Sequence, residues 1–312
     1  MKRLELRTLT FVVGLAVFLL PGCAPAPAPD RTRFNNPDDA ASALMKALKN
    51  NNAEEVKAIF GPNVERDLSS GDAVSDRNDR QAIALAMESS WRWEKPGAER
   101  MELIIGDEEW PFPVPLAEVR GGWQFDTDAG KEEVLSRRIG RNELRVIGVC
   151  RKYVPIQKEY ASQPRDGKLA GLYAQSWLSS PGRQDGLYWR ASVKGLQSPL
   201  GEVVAQAVVE GYDLNKDASE PLAGYQFRIL TAQGPAAKGG AKSYIVNGEM
   251  SGGFGLIAYP AEYGRSGVMT FMVNQDGVVY QKDLGQDTFK LAPGLKTYDP
   301  DSTWAEVKEL GA

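Results

Sequence analysis

The chain of 312 residues has no histidine, and its cysteines number two, Cys23 and Cys150. Without histidine it lacks the side chain most often used as a general base and as a transition-metal ligand. Ser-His-Asp and Cys-His catalysis are excluded, together with zinc sites built on histidine. Two cysteines so far apart do not make a thiolate cluster. Serine paired with lysine would be the remaining hydroxyl chemistry, but the Ser-x-x-Lys spacing that puts both on one helical face occurs nowhere. Positive charge is not in excess either. The net charge is -4, and no basic stripe is concentrated enough to suit nucleic acid, so none is expected as a partner. No apolar run approaches the roughly 20 residues that span a bilayer, and no tandem repeat of about 20 to 50 residues is visible.

What is present begins with an address. Lys2, Arg3 and Arg7 precede the apolar run "LTFVVGLAVFLL" from Leu9 to Leu20, the pattern of a secretory signal. The run ends in Leu20-Pro21-Gly22-Cys23, which resembles the lipobox of bacterial lipoproteins. That resemblance implies removal of residues 1–22 and acylation of Cys23; an ordinary signal peptide cut nearby, or an uncleaved anchor, is the alternative. More than one acyl chain makes a stable anchor, at about 0.8 kcal/mol per buried methylene. Residues 23–33, with "APAPAPD", favour polyproline II and read as a semi-rigid tether. Ala24, where an Asp would favour inner-membrane retention in similar systems, points to the outer membrane. Loss of residues 1–22 removes three positive charges and one negative, taking the net charge from -4 to about -6. The tether, not electrostatics, is expected to hold the body to the membrane. Cys150 is then the lone body thiol, and its setting in "RVIGVCRKYV" favours burial over intermolecular pairing.

The body reads as α+β: N-terminal helices with a small antiparallel sheet, then a helix packed on a second antiparallel β-meander. Residues 34–139 form the first domain and 140–312 the second. "NNPDDAASALMKALKNNN" carries Asn36 as cap, Pro37 at the first helical position and Ala41, Leu44, Met45 and Leu48 on one face. "AEEVKAIFGP" is a second helix stopped by Gly61, and a third is expected from about Arg77 to Trp93. Strands follow in "RMELIIG" and "LAEVRGGWQFDT", the latter a hairpin turning at Gly121-Gly122, while the prolines of "WPFPVPL" confine that segment to an edge. A helical connector is expected to break near Gly140, and another helix to run from Leu169 to Leu178. In the second half, Asn274-Gln275-Asp276-Gly277 signals a hairpin, and 231–242 reads as an exposed loop.

The strings "GGWQFDTDAGKEEVLSRRIGRNEL", "SSPGRQDGLYW", "YQFRILTAQGP", "YPAEYGRSGVMTFMVNQDGVVYQKDLG" and "DPDSTW" together resemble the bacterial domain-of-unknown-function family 2950, from about Phe34 to Trp304. The resemblance implies secreted or lipid-anchored envelope proteins and carries no catalytic residue. Residues 34–139 are also reminiscent of the nuclear-transport-factor-2-like cone. In the order "KEYA", "GYQFRI", "TFMVNQDGVV", residues 141 to 290 are similar to type IV pilin-like globular domains, though the prepilin cleavage site is lacking.

The residues that could carry chemistry each have a plainer reading. Ser266 in "YGRSGV" has Gly-x-Ser-Gly spacing, not that of a nucleophile elbow, and suits a turn. Asp107, Glu108 and Glu109 are consecutive, so they rarely converge and read as a solvated turn. Glu249, Glu262, Asp276 and Asp283 would form a site only if the second sheet gathered them. Asp213, Asn215 and Asp217 have the alternation of a calcium loop, but Ala218 replaces its glycine and Gly224 its twelfth-position carboxylate. Trp91 and Trp93, set about 200° apart on a helix, and five further tryptophans suit core packing or a binding face.

The sequence therefore leads to a non-catalytic, lipid-anchored envelope protein that binds or assembles, facing the periplasm. No cofactor is expected. The membrane, through the lipid on Cys23, and an envelope protein are the expected partners. A carboxylate-based hydrolase of envelope glycans and a small-ligand carrier are the alternatives.

Overall fold

A computed structural model describes residues 28–70, 73–95, 100–189, 197–201 and 222–308. The leader 1–22, Cys23 and the calcium-like Asp213, Asn215 and Asp217 lie outside the described residues. Among those described, no helix is long and apolar enough to cross a membrane.

The first part opens with four helices. In α1 (Pro37–Lys49) the Asn36 side chain accepts from the Asp39 amide at 2.8 Å, and Asp38 and Asp39 sit in the first turn, a cap of about 1 kcal/mol. Ala40, Ala41, Leu44, Ala47 and Leu48 are its buried face. Then come α2 (Ala53–Phe60), capped by Asn52, α3 (Val64–Leu68) and α4 (Ala73–Ser89). The chain leaves helix at Ser89, so Trp91 and Trp93 belong to a strand, not to the expected helix. Strand spacing puts residues two apart on one side, and their rings meet edge to face at 6.5 Å.

Strand β1 (Trp91–Glu94) begins an antiparallel sheet completed by β2 (Arg100–Ile105), β3 (Trp110–Pro111), β4 (Leu116–Val119) and β5 (Gly122–Phe125). Its order is β1-β2-β4-β5, with the proline-rich β3 beside β2. The β4–β5 hairpin turns on Arg120 and Gly121, one residue earlier than expected. Helices and sheet enclose Leu44, Phe60, Leu103, Leu116 and Phe125.

Of the stretch 23–33 expected as a tether, residues 28–33 are described and lie against the body. Gln124, nearly fully buried, accepts from the Ala28 amide and donates to the Ala28 and Arg31 carbonyls. Phe34 bridges Trp123 through two 2.8 Å backbone hydrogen bonds. Residues 28–33 are thereby docked on the body: Gln124 takes three of their backbone groups, and the Thr32 amide donates to the Ala58 carbonyl at 2.7 Å.

Helix α5 (Thr127–Ala161) is continuous through Gly140, where a break was expected. A helical glycine costs only about 1 kcal/mol relative to alanine, and buried Arg138 and Asn142 hold the turns on either side. Pro155 also lies inside the helix. The first core meets α5 at Val134, and the second takes Val146, Cys150, Tyr153 and Val154 from it.

The second sheet contains β6 (Tyr225–Leu230), β11 (Gly255–Pro260), β12 (Met269–Asn274), β13 (Tyr280–Asp283) and β14 (Ala305–Glu306), in the order β14-β13-β12-β11-β6 and antiparallel throughout. Leu256, Ala258, Phe271 and Val273 face the α5 core, while Ile257 and Met272 join Leu230, Ala237 and Tyr298 behind the sheet. Both faces are covered, so β11 and β12 are buried along most of their length, with Thr270 and Asn274 the polar residues in β12. The Asn274–Gly277 turn joins β12 to β13 as expected, with Gly277 at φ 83° and the Asp276 amide on the Asn274 side chain.

Two further ribbons pair β7 (Ala232–Gln233) with β8 (Lys242–Ser243) and β9 (Ile245–Val246) with β10 (Glu249–Met250). The 231–242 stretch is thus less exposed than expected: Gln233 and Ala237 are buried, and Gln233 donates to the Lys238 and Gly240 carbonyls. A short helix α6 (Thr288–Leu291) runs into a 3-10 turn at Ala292–Gly294.

No helix forms at 169–178. The Ala174 amide donates to the Gln157 side chain, which donates back to the Ala174 carbonyl, both at 2.9 Å. The Tyr173 amide goes to the Met250 carbonyl at 2.8 Å. Backbone groups claimed by another element are not free for a helical ladder.

Candidate functional site

Among the described residues, those marked out in the sequence do not come together. Asp107, Glu108 and Glu109 are exposed in a turn, where Asp107 accepts from Ser89 and Ser90 and Glu109 pairs with Arg92. Glu249 pairs with Lys168, Glu262 with Arg265, and Asp283 accepts from Tyr263, while Asp276 lies in the β12–β13 turn. Among the described residues no group of three or more carboxylates and cysteines has metal-binding geometry. Ser266 closes its turn: its hydroxyl accepts from the Glu262 amide and donates to the Glu262 carbonyl. Cys150 is fully buried, and burial pushes its thiol up to about 12. Six tryptophans pack against the cores; Trp110 is more exposed and lies under the Arg137 guanidinium.

A different set converges where α5 ends. Ser162 closes the helix, and the chain turns back through Arg165-Asp166-Gly167-Lys168. Asp166 and Gly167 have φ of 49° and 81°, and Arg165 and Lys168 exchange backbone hydrogen bonds. This is a two-residue turn with both central residues left-handed, the geometry that Asp-Gly favours. It brings Arg165 under the helix end, 8% exposed. Its Nε donates to the Tyr160 carbonyl at 3.0 Å, and the Tyr160 and Trp189 rings each lie 4.9 Å from its Cζ.

The 180–186 loop closes the other side. The Gln184 amide donates to Asp166 Oδ2 at 2.6 Å, and the Tyr160 hydroxyl donates to the Gln184 carbonyl at 2.7 Å. Asp185 accepts from the Ser180 amide and hydroxyl, at 2.7 and 2.9 Å. Arg183 Nε lies 3.4 Å from Asp185 and 3.8 Å from Asp166. Lys168 and Glu249 pair at 2.9 Å on the rim. Between these groups is a cavity of about 40 Å³, room for one small functional group.

The electrostatics are uneven. Desolvation lowers the Arg165 pKa, and it pushes the Tyr160 hydroxyl up to about 12. Burial alone would raise Asp185; the Ser180 hydrogen bonds and Arg183 outweigh it and hold the carboxyl below its ordinary 3.8. Gln184 is 2% exposed, and its Nε2 is buried with no hydrogen-bond partner. An unpaired buried donor costs about 1–3 kcal/mol. Among its described residues the cleft presents the Arg165, Lys168 and Gln184 donors beside the Asp166, Asp185 and Glu249 carboxylates. The arrangement can grip a polar group.

The family model described as "Protein of unknown function (DUF2950)" matches residues 31–307. The chain belongs to this family. No curated protein and no solved structure matches it. The family match takes in both cores and every residue of the cleft, and leaves the leader and Cys23 outside. The likenesses to the nuclear-transport-factor-2 cone and to pilin domains gain no support from a solved structure. Sequence reasoning passed over Arg165, Asp166 and Gln184, although the Asp166-Gly167 pair was a readable turn signal.

Proposed function

We propose that this DUF2950 protein is a lipid-anchored component of the bacterial cell envelope, held by acyl chains on Cys23 with its body in the periplasm. The body acts by binding. The Leu20-Pro21-Gly22-Cys23 stretch behind a basic, apolar leader supports the anchor, and Ala24 favours the outer membrane. The observation that carries the binding role is the cleft at the end of α5: it holds one buried donor without a partner, Gln184 Nε2, beside the Arg165 guanidinium, while the candidate nucleophile Ser266 is spent on its own turn.

Two measurements on cells test this. Metabolic labelling with a palmitate analogue is expected to mark the wild-type protein and leave Cys23→Ala unmarked and unprocessed; a labelled Cys23→Ala protein would remove the anchor. Crosslinking in intact cells followed by capture is expected to recover an envelope component in amounts comparable to the protein. Recovery that is the same with the cleft residue Arg165 replaced by Ala would detach the binding role from this cleft.

A further inference from the structure

We propose that the cleft at the end of α5 is a carboxylate-binding site in which Arg165 and Gln184 hold the ligand's carboxyl group. The proposal rests on the reading of the body as a binding module and specifies what is bound.

Arg165 is more than nine-tenths buried, yet among the described residues it makes no ion pair and its one side-chain hydrogen bond uses Nε. A guanidinium has five N–H donors in a fixed plane, so those on its two Nη atoms remain. The Tyr160 and Trp189 rings pack on it without supplying an acceptor. Gln184 Nε2 adds a second unused donor from a side chain 2% exposed. The nearby carboxylates already have partners: Asp166 has the Gln184 amide, Asp185 has Ser180, and Glu249 has Lys168. The buried spare capacity is on the donor side, so the missing group is an acceptor.

Charge and size narrow it further. A buried cation without a counterion is costly, and a neutral carbonyl would leave that charge unpaired. A carboxylate supplies both the charge and the planar pair of oxygens that a guanidinium fork receives bidentately. The cavity, about 40 Å³, takes a group of that size and leaves the rest of the ligand outside. Three carboxylates line the same cleft, which disfavours a doubly charged phosphate. The carboxyl group could come from a free organic acid or from the end of a peptide chain.

Calorimetric titration of the full-length protein in detergent decides the matter, with acetate, N-acetyl-Ala-Ala bearing a free carboxyl, and its carboxamide as probes. The free-carboxyl dipeptide is expected to bind at least about tenfold more tightly than the carboxamide. Acetate binding as well as the dipeptide would mark a free acid as the natural ligand, and dipeptide binding alone would mark a chain terminus; both support the site. Arg165→Lys keeps the charge but loses the fork, and is expected to weaken binding about tenfold. Gln184→Glu keeps the backbone hydrogen bonds of Gln184 and puts an anion where the ligand's would sit, so it should abolish binding without unfolding the protein. Equal binding of carboxamide and carboxylate would overturn the site while leaving a binding module in place. Absence of binding by all three probes, or undiminished binding by Gln184→Glu, would overturn it as well. Conversion of a probe to product would instead overturn the non-catalytic reading.

Discussion

Asn142, midway along α5, donates its side-chain amide to the Ser266 carbonyl at 2.9 Å, joining the helix to the turn before β12 across 124 residues of sequence. Both residues are buried. Beside them Glu143 accepts from the Val268 and Met269 amides at 2.9 and 3.0 Å. Asn142→Leu removes the donor and strands a buried carbonyl, so it is expected to cost about 1–3 kcal/mol. Urea unfolding of both proteins reads the difference. A change below about 0.5 kcal/mol, the scatter of surface substitutions, would mean that the contact contributes nothing.

Gln157 is fully buried and spends its side chain on Ala174 and on the Tyr153 hydroxyl. Gln157→Leu fills similar space but leaves the amide and carbonyl of Ala174 unpaired. The expected loss is again about 1–3 kcal/mol. Hydrogen exchange gives the sharper readout: the Ala174 amide should lose protection before β12 does. Unchanged protection at Ala174 would show that the segment is held by something else.

The Cys150 thiol has an ordinary pKa of 9.0 and is pushed up to about 12 by burial. With the folded value raised, its contribution to stability is whole below pH 9 and is lost as pH rises towards 12, because the unfolded chain releases the proton first. By pH 11 the loss attributable to this one group is roughly 2–3 kcal/mol. The wild type should therefore lose stability from pH 9 to 11 more steeply than Cys150→Ala, by chemical denaturation at each pH. Parallel slopes would refute the assignment. Maleimide should also label Cys150 only after denaturation.

Gly130, in the first turn of α5, lies against the Pro113–Val114 backbone, and an added Cβ would sit 2.8 Å from Val114 Cα and 2.9 Å from the Pro113 carbonyl oxygen. Alanine would gain about 1 kcal/mol of helix propensity. Overpacking against backbone that cannot yield costs about 1–3 kcal/mol, so Gly130→Ala should be net destabilising. Gly140→Ala, with nothing within 4 Å, has the propensity gain alone and should stabilise by up to about 1 kcal/mol. Thermal melts of the two variants moving in the same direction would contradict this pairing.

Local chemistry made much of the fold readable. The Asn36 cap, the Gly61 stop and the Asn274–Gly277 turn are set by residues within a few positions of one another, and each stands where it was expected. What misled was settled at a distance. The 169–178 segment has helical spacing, but Gln157 and Met250 claim its backbone. Gly140 is a weak helix residue in a helix that tertiary contacts hold on both sides. Trp91 and Trp93 pair with Ile105 and Leu103 across β2, and that partnership outweighs the helical pattern before them. The cleft was the hardest to foresee. Its Asp166-Gly167 turn is written in the chain, whereas the approach of Tyr160, Gln184 and Trp189 to Arg165 depends on how the loops close.

At 1.5 Å per residue, the 35 residues of α5 make a rod about 52 Å long, and both cores take their bearings from it. Each position along such a rod also fixes an angle, close to 100° per residue. One residue inserted at Gly140 would swing everything downstream through that angle, turning Val146, Cys150 and Tyr153 away from the second sheet while the first core stayed as it was. The two halves are therefore locked in phase as well as in sequence, and length changes between them are tolerable only in steps near a whole number of helical turns.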